Sequence, residues 1–149
     1  MNRKILKFVG AAALVCIAAM LFTGASADRE TEHIRQLIMK RTFVMENVLF
    51  GKITYEEGRE KLKEIETAGL YERDTSALLD FRNRDLSAAD KMEIVSIEKK
   101  SHLYDRASYI AEIKWTELYG TEKESETCMS EIGVLNQDDG LKLISFEIK

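Results

Sequence analysis

The fold is decided by the stretch YIAEIKWTELY, residues 109–119, in which apolar and polar side chains alternate. The odd positions share one face, and most of them are apolar: Tyr109, Ala111, Ile113, Trp115 and Tyr119. The even positions between them include the polar residues Glu112, Lys114 and Thr116. A period of two is typical of a β-strand with one buried face. The stretch therefore predicts a half-buried strand.

Three further stretches predict strands. Apolar residues are dense in residues 92–97, and two more strands are predicted over residues 127–135 and 141–148. The turn-forming segment NQDDG separates the last two. Two antiparallel hairpins follow, one at Gly140 and the other either around Asp105 and Arg106 or at Gly120.

Helical spacing dominates the part of the chain before these strands. Apolar residues recur every three or four positions over residues 28–50, and Gly51 provides a stop. A second helix is predicted to begin at Thr54, where Thr54 and Glu57 have the spacing of a capping box. We expect this helix to end at Gly69, because glycine is the usual residue just after a helix.

A short third helix is predicted over residues 75–81, with Asp74 as its cap. Helices first and strands afterwards predict an α+β fold, in which two or three N-terminal helices pack on one face of an antiparallel sheet of about four strands. This segregation excludes an alternating α/β protein with a parallel sheet.

The first 27 residues predict export from a bacterial cell. Three cations precede an uncharged apolar run over residues 8–22, and Ala25 and Ala27 stand where signal peptidase requires small side chains. Counted through Ala27, the uncharged segment reaches about 20 residues, so the alternative is an uncleaved membrane anchor. In either form residues 28–149 are predicted to be one extracytoplasmic domain, secreted or anchored to the cell membrane.

Charge and cysteine content limit the partners and the means of stabilisation. Loss of residues 1–27 removes three cations and no acid, which takes the net charge from −4 to −7. An acidic surface argues against nucleic acid and against anionic lipid, so membrane contact is expected only through the N-terminal segment. Cys128 would then be the sole cysteine, which excludes an intrachain disulfide.

Residues that could coordinate a metal are few. His33 and His102 have no second ligand at metal-binding spacing, and the NQDDG segment lacks the ligand pattern of a calcium loop. We therefore predict neither a metal nor a cofactor. Cys128 is expected to be a small buried hydrophobe, because nothing near it in sequence would generate a thiolate.

No residue is predicted to be catalytic, and the chain is more consistent with a non-enzyme. An enzyme that uses Glu112 or Glu131 is the alternative. Alternation places Glu112 on the face opposite Trp115, which counts against it.

Aromatic residues on one face of the predicted sheet form the candidate binding site. Tyr109, Ile113, Trp115 and Tyr119 would line an apolar pocket if the helices cover this face without filling it. The alternative is that these side chains fill the core. The acidic residues 122–126 are predicted to decorate an exposed turn or strand end, with partner docking as the alternative.

Two or three helices followed by a long-stranded meander, closed by GLKLISF at residues 140–146, resemble the cone-shaped α+β fold of the nuclear transport factor 2-like superfamily. The resemblance implies an exported bacterial domain, an enzyme with an acid–base pair in the cone, or an assembly module beside a membrane. No catalytic residue of the enzymatic members matches a position here.

We therefore expect a non-enzymatic binding or protein-interaction module at the cell envelope, with an envelope protein or a small apolar ligand as its partner. The alternatives are a small-molecule-binding or carboxylate-based enzyme with its site in the cone, and a membrane-anchored scaffold of an envelope complex.

Overall fold

The computed structural model describes residues 29–81, 89–119 and 122–149. The predicted signal segment, with Ala25 and Ala27, lies outside these ranges, and so does Gly120. The chain divides into two units. The described part of the first unit, residues 29–33, is helical, and the second unit, Ile34–Lys149, contains the sheet and the core. No helix in the described ranges has both the length and the apolar character needed to cross a membrane.

Three helices precede four strands in the described ranges. The helices are α1 over residues 29–49, α2 over Tyr55–Ile65 and α3 over Ala68–Phe81. The strands are β1 over Ala89–Leu103, β2 over Arg106–Tyr119, β3 over Glu122–Gln137 and β4 over Gly140–Ile148. The strands form one antiparallel sheet in the order β1-β2-β3-β4. The predicted α+β fold is confirmed.

The helices cover one face of this sheet, which we call the inner face. Ile34 and Ile38 of α1 and Leu70 of α3 pack against buried inner-face side chains, among them Tyr109, Ala111, Ile113, Ile132 and Leu143. In β2 the buried residues alternate with Glu112 and the exposed Lys114. The period of two read from the sequence therefore marks the inner face correctly.

A second apolar cluster joins the three helices. Val44 of α1, Leu62 and Ile65 of α2, and Leu78 of α3 are buried together. This cluster fixes how the helices pack on one another, and the first cluster fixes them on the sheet.

The predicted start of α2 is confirmed. Thr54 Oγ1 accepts a hydrogen bond from the Glu57 amide at 3.2 Å, and the Thr54 amide donates to Glu57 Oε2 at 2.8 Å. The Thr54 amide, together with the Thr54 hydroxyl that donates to the same oxygen at 2.9 Å, holds the pKa of the Glu57 carboxyl below its ordinary value. Gly51, just after α1, has a φ of +66°, which explains a glycine at this helix end.

The predicted boundary between α2 and α3 is wrong. Helix α2 ends at Ile65 rather than at Gly69, and α3 begins at Ala68 rather than at Thr75. Between them Glu66 is extended and forms a parallel bridge to Leu143 of β4, where the Thr67 amide donates to the Leu143 carbonyl at 2.9 Å. The helix breaks there because a tertiary contact replaces the helical hydrogen bonds.

The strands are longer than predicted, and β3 extends beyond the end of β4. The β1–β2 turn lies at Tyr104 and Asp105, and the β3–β4 turn precedes Gly140, as predicted. Pairing of β3 with β4 extends only to Ser130, opposite Ile148. Residues 122–129 of β3 therefore pair with β2 alone among the described strands.

Two glycines in helices should respond in opposite ways to alanine. At Gly58 an added Cβ would collide with the Val48 side chain of α1, so Gly58→Ala should lower the free energy of unfolding by about 1–3 kcal/mol. At Gly69 nothing lies within 4 Å of an added Cβ, so Gly69→Ala should raise it by about 0.5 kcal/mol. Urea unfolding measures both. A destabilised Gly69→Ala would contradict the observed start of α3.

Candidate functional site: an apolar groove between the helices and the sheet

The candidate site is an open groove of about 690 Å³ where α1 and α3 diverge from one end of the sheet. Its lining comes from four elements: Arg41, Thr42, Met45, Glu46 and Leu49 of α1, Arg73, Asp74 and Ala77 of α3, Trp115 of β2, and Phe146, Glu147 and Ile148 of β4. Apolar atoms supply most of the exposed surface of this lining, and five of the twelve residues are charged. That composition is typical of a binding site.

Trp115 is held in the groove by Cys128. The indole Nε1–H of Trp115 donates a hydrogen bond to Cys128 Sγ at 3.3 Å, and the Cys128 thiol donates in turn to the Ile113 carbonyl at 3.6 Å. Cys128 is half-buried and packs against the core. The thiol therefore has a structural role here: it orients the indole.

The four predicted pocket residues have different positions. Trp115 lines the groove, whereas Tyr109 and Ile113 are buried in the core, with at most 1% of their surface exposed. The backbone of Tyr119 belongs to β2, and its side chain lies outside the described part of the structure. The structure thus places one member of the predicted set in the groove and two beneath the helices.

The charged end of the groove is built around Arg41. Its Nε donates to Asp74 Oδ2 at 2.6 Å, and its guanidinium carbon lies 4.5 Å from the centre of the Phe146 ring. Arg73 donates to the Phe146 carbonyl at 2.6 Å, and its Nε lies 3.6 Å from Asp74 Oδ1. Two arginines from α1 and α3 therefore meet one buried carboxylate and the end of β4.

A second carboxyl group, Glu66, is buried behind Arg41. Only 3% of Glu66 is exposed, and Arg41 Nε lies 3.4 Å from Glu66 Oε1. Neither Glu66 oxygen has a hydrogen-bond partner among the described residues. Burial raises the pKa of Glu66 to about 8, and the neighbouring Asp74 carboxylate adds to the shift, whereas Arg41 and Arg73 oppose it. Glu66 therefore carries a proton at neutral pH.

Arg41, Glu66 and Asp74 form a cluster that was not predicted from the sequence. Asp74 was predicted to be a helix cap, but it lies inside α3 and is 3% exposed. A signal was present, because Asp74 is four residues from both Leu70 and Leu78, and Glu66 is four residues after Leu62. Each carboxyl group thus stands where the spacing calls for a buried apolar residue.

The carboxylates considered for catalysis are far from this groove. Glu112 and Glu131 fall on the outer face of the sheet, since their neighbours Ile113 and Ile132 are buried on the inner one. Hydrogen bonds from Lys149 and Lys100 lower the pKa of Glu131. Both groups therefore belong to the solvent-facing surface.

Three carboxyl groups line the groove, those of Glu46, Asp74 and Glu147. Asp74 is held by the two arginines, and Glu66 does not reach the lining. Burial raises the pKa of Glu46, an effect that Lys52 partly offsets. The arrangement can hold an apolar group against Trp115. The charged groups nearby can select the polar part of the same ligand.

The histidines are exposed on separate elements, His33 in α1 and His102 in β1. Across residues 29–81, 89–119 and 122–149, no three side chains of the metal-binding types come together. A second depression, of about 520 Å³, lies at the turn between α1 and α2. Its polar groups include Thr54 and Glu57, which already bond to each other in the capping box.

Comparison with known proteins gives a fold but no family. No family model matches the chain, and no curated protein does. Among solved structures, the intermembrane space region of the chloroplast protein ARC6 is similar to it, with a TM-score of 0.51 and 11% identity. The match covers 79% of this chain and 95% of that region. At such low identity the likeness shows the fold alone.

The buried Glu66 should make stability fall as pH rises. Its pKa is about 8 when folded, against an ordinary value of 4.5, so the folded state binds the proton more tightly. Its contribution to the free energy of unfolding is therefore complete below pH 4.5 and is lost as pH rises toward 8. In Glu66→Gln the side chain cannot ionise. The free energy of unfolding of this variant should therefore lack the decrease of a few kcal/mol that the wild type shows as pH rises.

Urea unfolding at several pH values between about 5 and 8 measures this profile. Glu64→Gln is the matched control, because Glu64 is exposed and pairs with Lys40 at 3.1 Å. A Glu66→Gln variant that keeps the wild-type slope would show that Glu66 is ionised in the folded protein.

Removal of the Arg41 guanidinium should lower the free energy of unfolding far more than removal of the charge of the adjacent Lys40. Arg41→Ala leaves Asp74 buried without its main partner and should lower the free energy of unfolding by about 3–5 kcal/mol. Lys40→Ala breaks only an exposed pair and should lower it by less than about 1 kcal/mol. Chemical unfolding of both variants tests this, and equal losses would refute the role given to Arg41.

Proposed function

We propose that this protein is an exported, non-enzymatic binding module of the cell envelope, and that the groove beside Trp115 is its binding site. The observation that carries the proposal is the groove itself. It is open, about 690 Å³ in volume, and its exposed surface is mainly apolar, with residues from both helices and sheet. An apolar ligand or the apolar side chains of a partner would bury Trp115, Met45 and Ile148 on binding.

Binding is favoured over catalysis by the state of the polar groups. Asp74 is neutralised by Arg41 and Arg73, and the protonated Glu66 does not line the groove. A general acid or base must reach the substrate. A carboxylate-based enzyme in the cone is the alternative: Glu112 and Glu131 lie on the wrong face of the sheet for it, whereas Glu46 lines the groove with a raised pKa.

The envelope location rests on the sequence of residues 1–27, with cleavage after Ala27 or retention as an anchor. It is also compatible with the location of the similar ARC6 region in an intermembrane space. Membership of the nuclear transport factor 2-like superfamily stays a prediction, supported by the order of three helices and a four-stranded meander. If the segment is retained, the same groove would serve a membrane-anchored scaffold.

The groove can be tested with the fluorescent apolar probe anilinonaphthalenesulfonate. Trp115 is the only tryptophan of the chain, so energy transfer from tryptophan to the bound probe reports on this groove. We expect saturable transfer in the folded protein. Ala77→Phe, which fills the groove from α3, should weaken probe binding about tenfold, equal to about 1.4 kcal/mol.

The control is Leu79→Phe, which places the same aromatic side chain at an exposed position of the same helix. It should leave probe binding unchanged, and circular dichroism should show that both variants stay folded. An absence of energy transfer, or equal weakening by the two substitutions, would overturn the proposal.

A further inference from the structure

The edge of β3 next to the groove lacks a neighbouring strand in the described structure. Residues 124–129 pair with β2, from Glu124 opposite Glu117 to Met129 opposite Glu112. On the other side β4 reaches only Ser130, and the Lys149 amide adds one bond, to the Met129 carbonyl at 2.8 Å. The rest of this edge is a template for another strand.

The direction of the free backbone groups follows from that last bond. The Met129 carbonyl points toward the β4 side, and in an antiparallel strand the two backbone groups of a residue point the same way, alternating along the chain. The amide and carbonyl of Thr127 and of Ser125 therefore also point to the open edge. Their side chains are exposed.

The open edge adjoins the groove. Cys128 lies opposite Ile113 and Glu126 lies opposite Trp115, so Cys128 and Glu126 belong to the inner face. A strand that continued the line of β4 would direct one side chain inward beside Cys128 and Trp115, next to Ile148. The following inward side chain would lie beside Glu126, and the next beside Glu124.

We propose that this edge binds an extended peptide of a partner protein, antiparallel to β3, in which an apolar residue enters the groove and cations follow at two-residue spacing. The peptide deepens the function proposed above, since its apolar residue occupies the Trp115 groove. Main-chain bonds to Thr127 and Ser125 supply affinity, and the inward side chains supply selectivity.

Charge identifies the peptide as cationic. Glu124 and Glu126 are exposed on the inner face, and neither makes an ion pair with a described residue. Inward charges on an edge strand repel apolar strands and copies of the same edge. The same two carboxylates attract a strand that carries lysine or arginine at the facing positions. A second copy of this chain is therefore the disfavoured occupant.

The test uses two capped synthetic peptides, LTKTKT and its charge-reversed form LTETET, titrated into the full chain. Trp115 emission reports on the groove, and amide resonances of Ser125 and Thr127 report on the edge. We expect LTKTKT to bind about tenfold more tightly than LTETET. Replacement of Glu124 and Glu126 by lysine should reverse that preference, which unfolding of the protein could not do.

The backbone contact is tested at Thr127. Thr127→Pro removes an outward amide and leaves pairing with β2 intact, because proline is tolerated on an open edge. It should weaken LTKTKT binding about tenfold. Thr127→Ala keeps the amide and is the matched control, expected to bind as the wild type does.

Each contrary outcome separates the two proposals. If the fluorescent probe binds and neither peptide does, the strand site is overturned and the groove stands. If neither probe nor peptide binds, both fail. Equal affinity for the two peptides, or binding unaffected by Thr127→Pro, would also overturn strand addition. A dimer in sedimentation that Thr127→Pro dissolves would assign the edge to a second copy instead.

Discussion

The ion pair between Arg41 and Asp74 is the interaction on which the arrangement of this molecule depends. It joins α1 to α3 inside the apolar layer, and Arg41 also stacks on Phe146 of β4. A charge pair in such surroundings is stable only when its geometry is good and its remaining groups are bonded. Arg73 and the Phe146 carbonyl complete that set. Both helices are thereby fixed at the end of the sheet where the groove opens.

Glu66 adds a constraint of a different kind to the same cluster. It is brought there by the parallel bridge to Leu143, which also ends α2. A third ionised group beside Asp74 would leave two carboxylates sharing one main cation. Protonation of Glu66 removes that conflict, and so the cluster holds one cation against one anion in its interior.

The sheet was the part most open to prediction from sequence. In β2 every second residue from Ala107 to Ile113 is buried, which is the pattern that a strand with one buried face requires. The capping box at Thr54 was equally informative, because its two hydrogen bonds are local in sequence. Local patterns of this sort need no knowledge of the rest of the fold.

The boundary between α2 and α3 could not be predicted in the same way. Glu66 is not helical because it forms a β-bridge with Leu143, which is 77 residues away in the sequence. No residue near Glu66 in the sequence indicates that contact. Gly69 offered a local reason to stop, but it lies within the first turn of α3. The charged cluster could not be predicted either, because Asp74 lies inside a helix only if α3 begins at Ala68 rather than at Thr75.

The groove results from two further structural features that the periodicity of the sequence does not predict. One is the packing of α1 and α3 on the sheet, which leaves space beside Trp115 while Tyr109 and Ile113 are buried. The other is the unequal length of β3 and β4, which leaves an acidic strand edge beside that space. The groove, the oriented indole and the open strand edge therefore lie together at one end of the sheet.

The meander connectivity has a consequence for the order in which the molecule assembles. Each strand pairs with its neighbour in sequence, so the sheet can grow hairpin by hairpin with short loop closures. Part of the helical layer has no comparable local route, because the segment after α2 bonds to Leu143 and Arg73 of α3 bonds to Phe146, and both residues belong to the last of the four strands. These contacts cannot form until β4 has been synthesised.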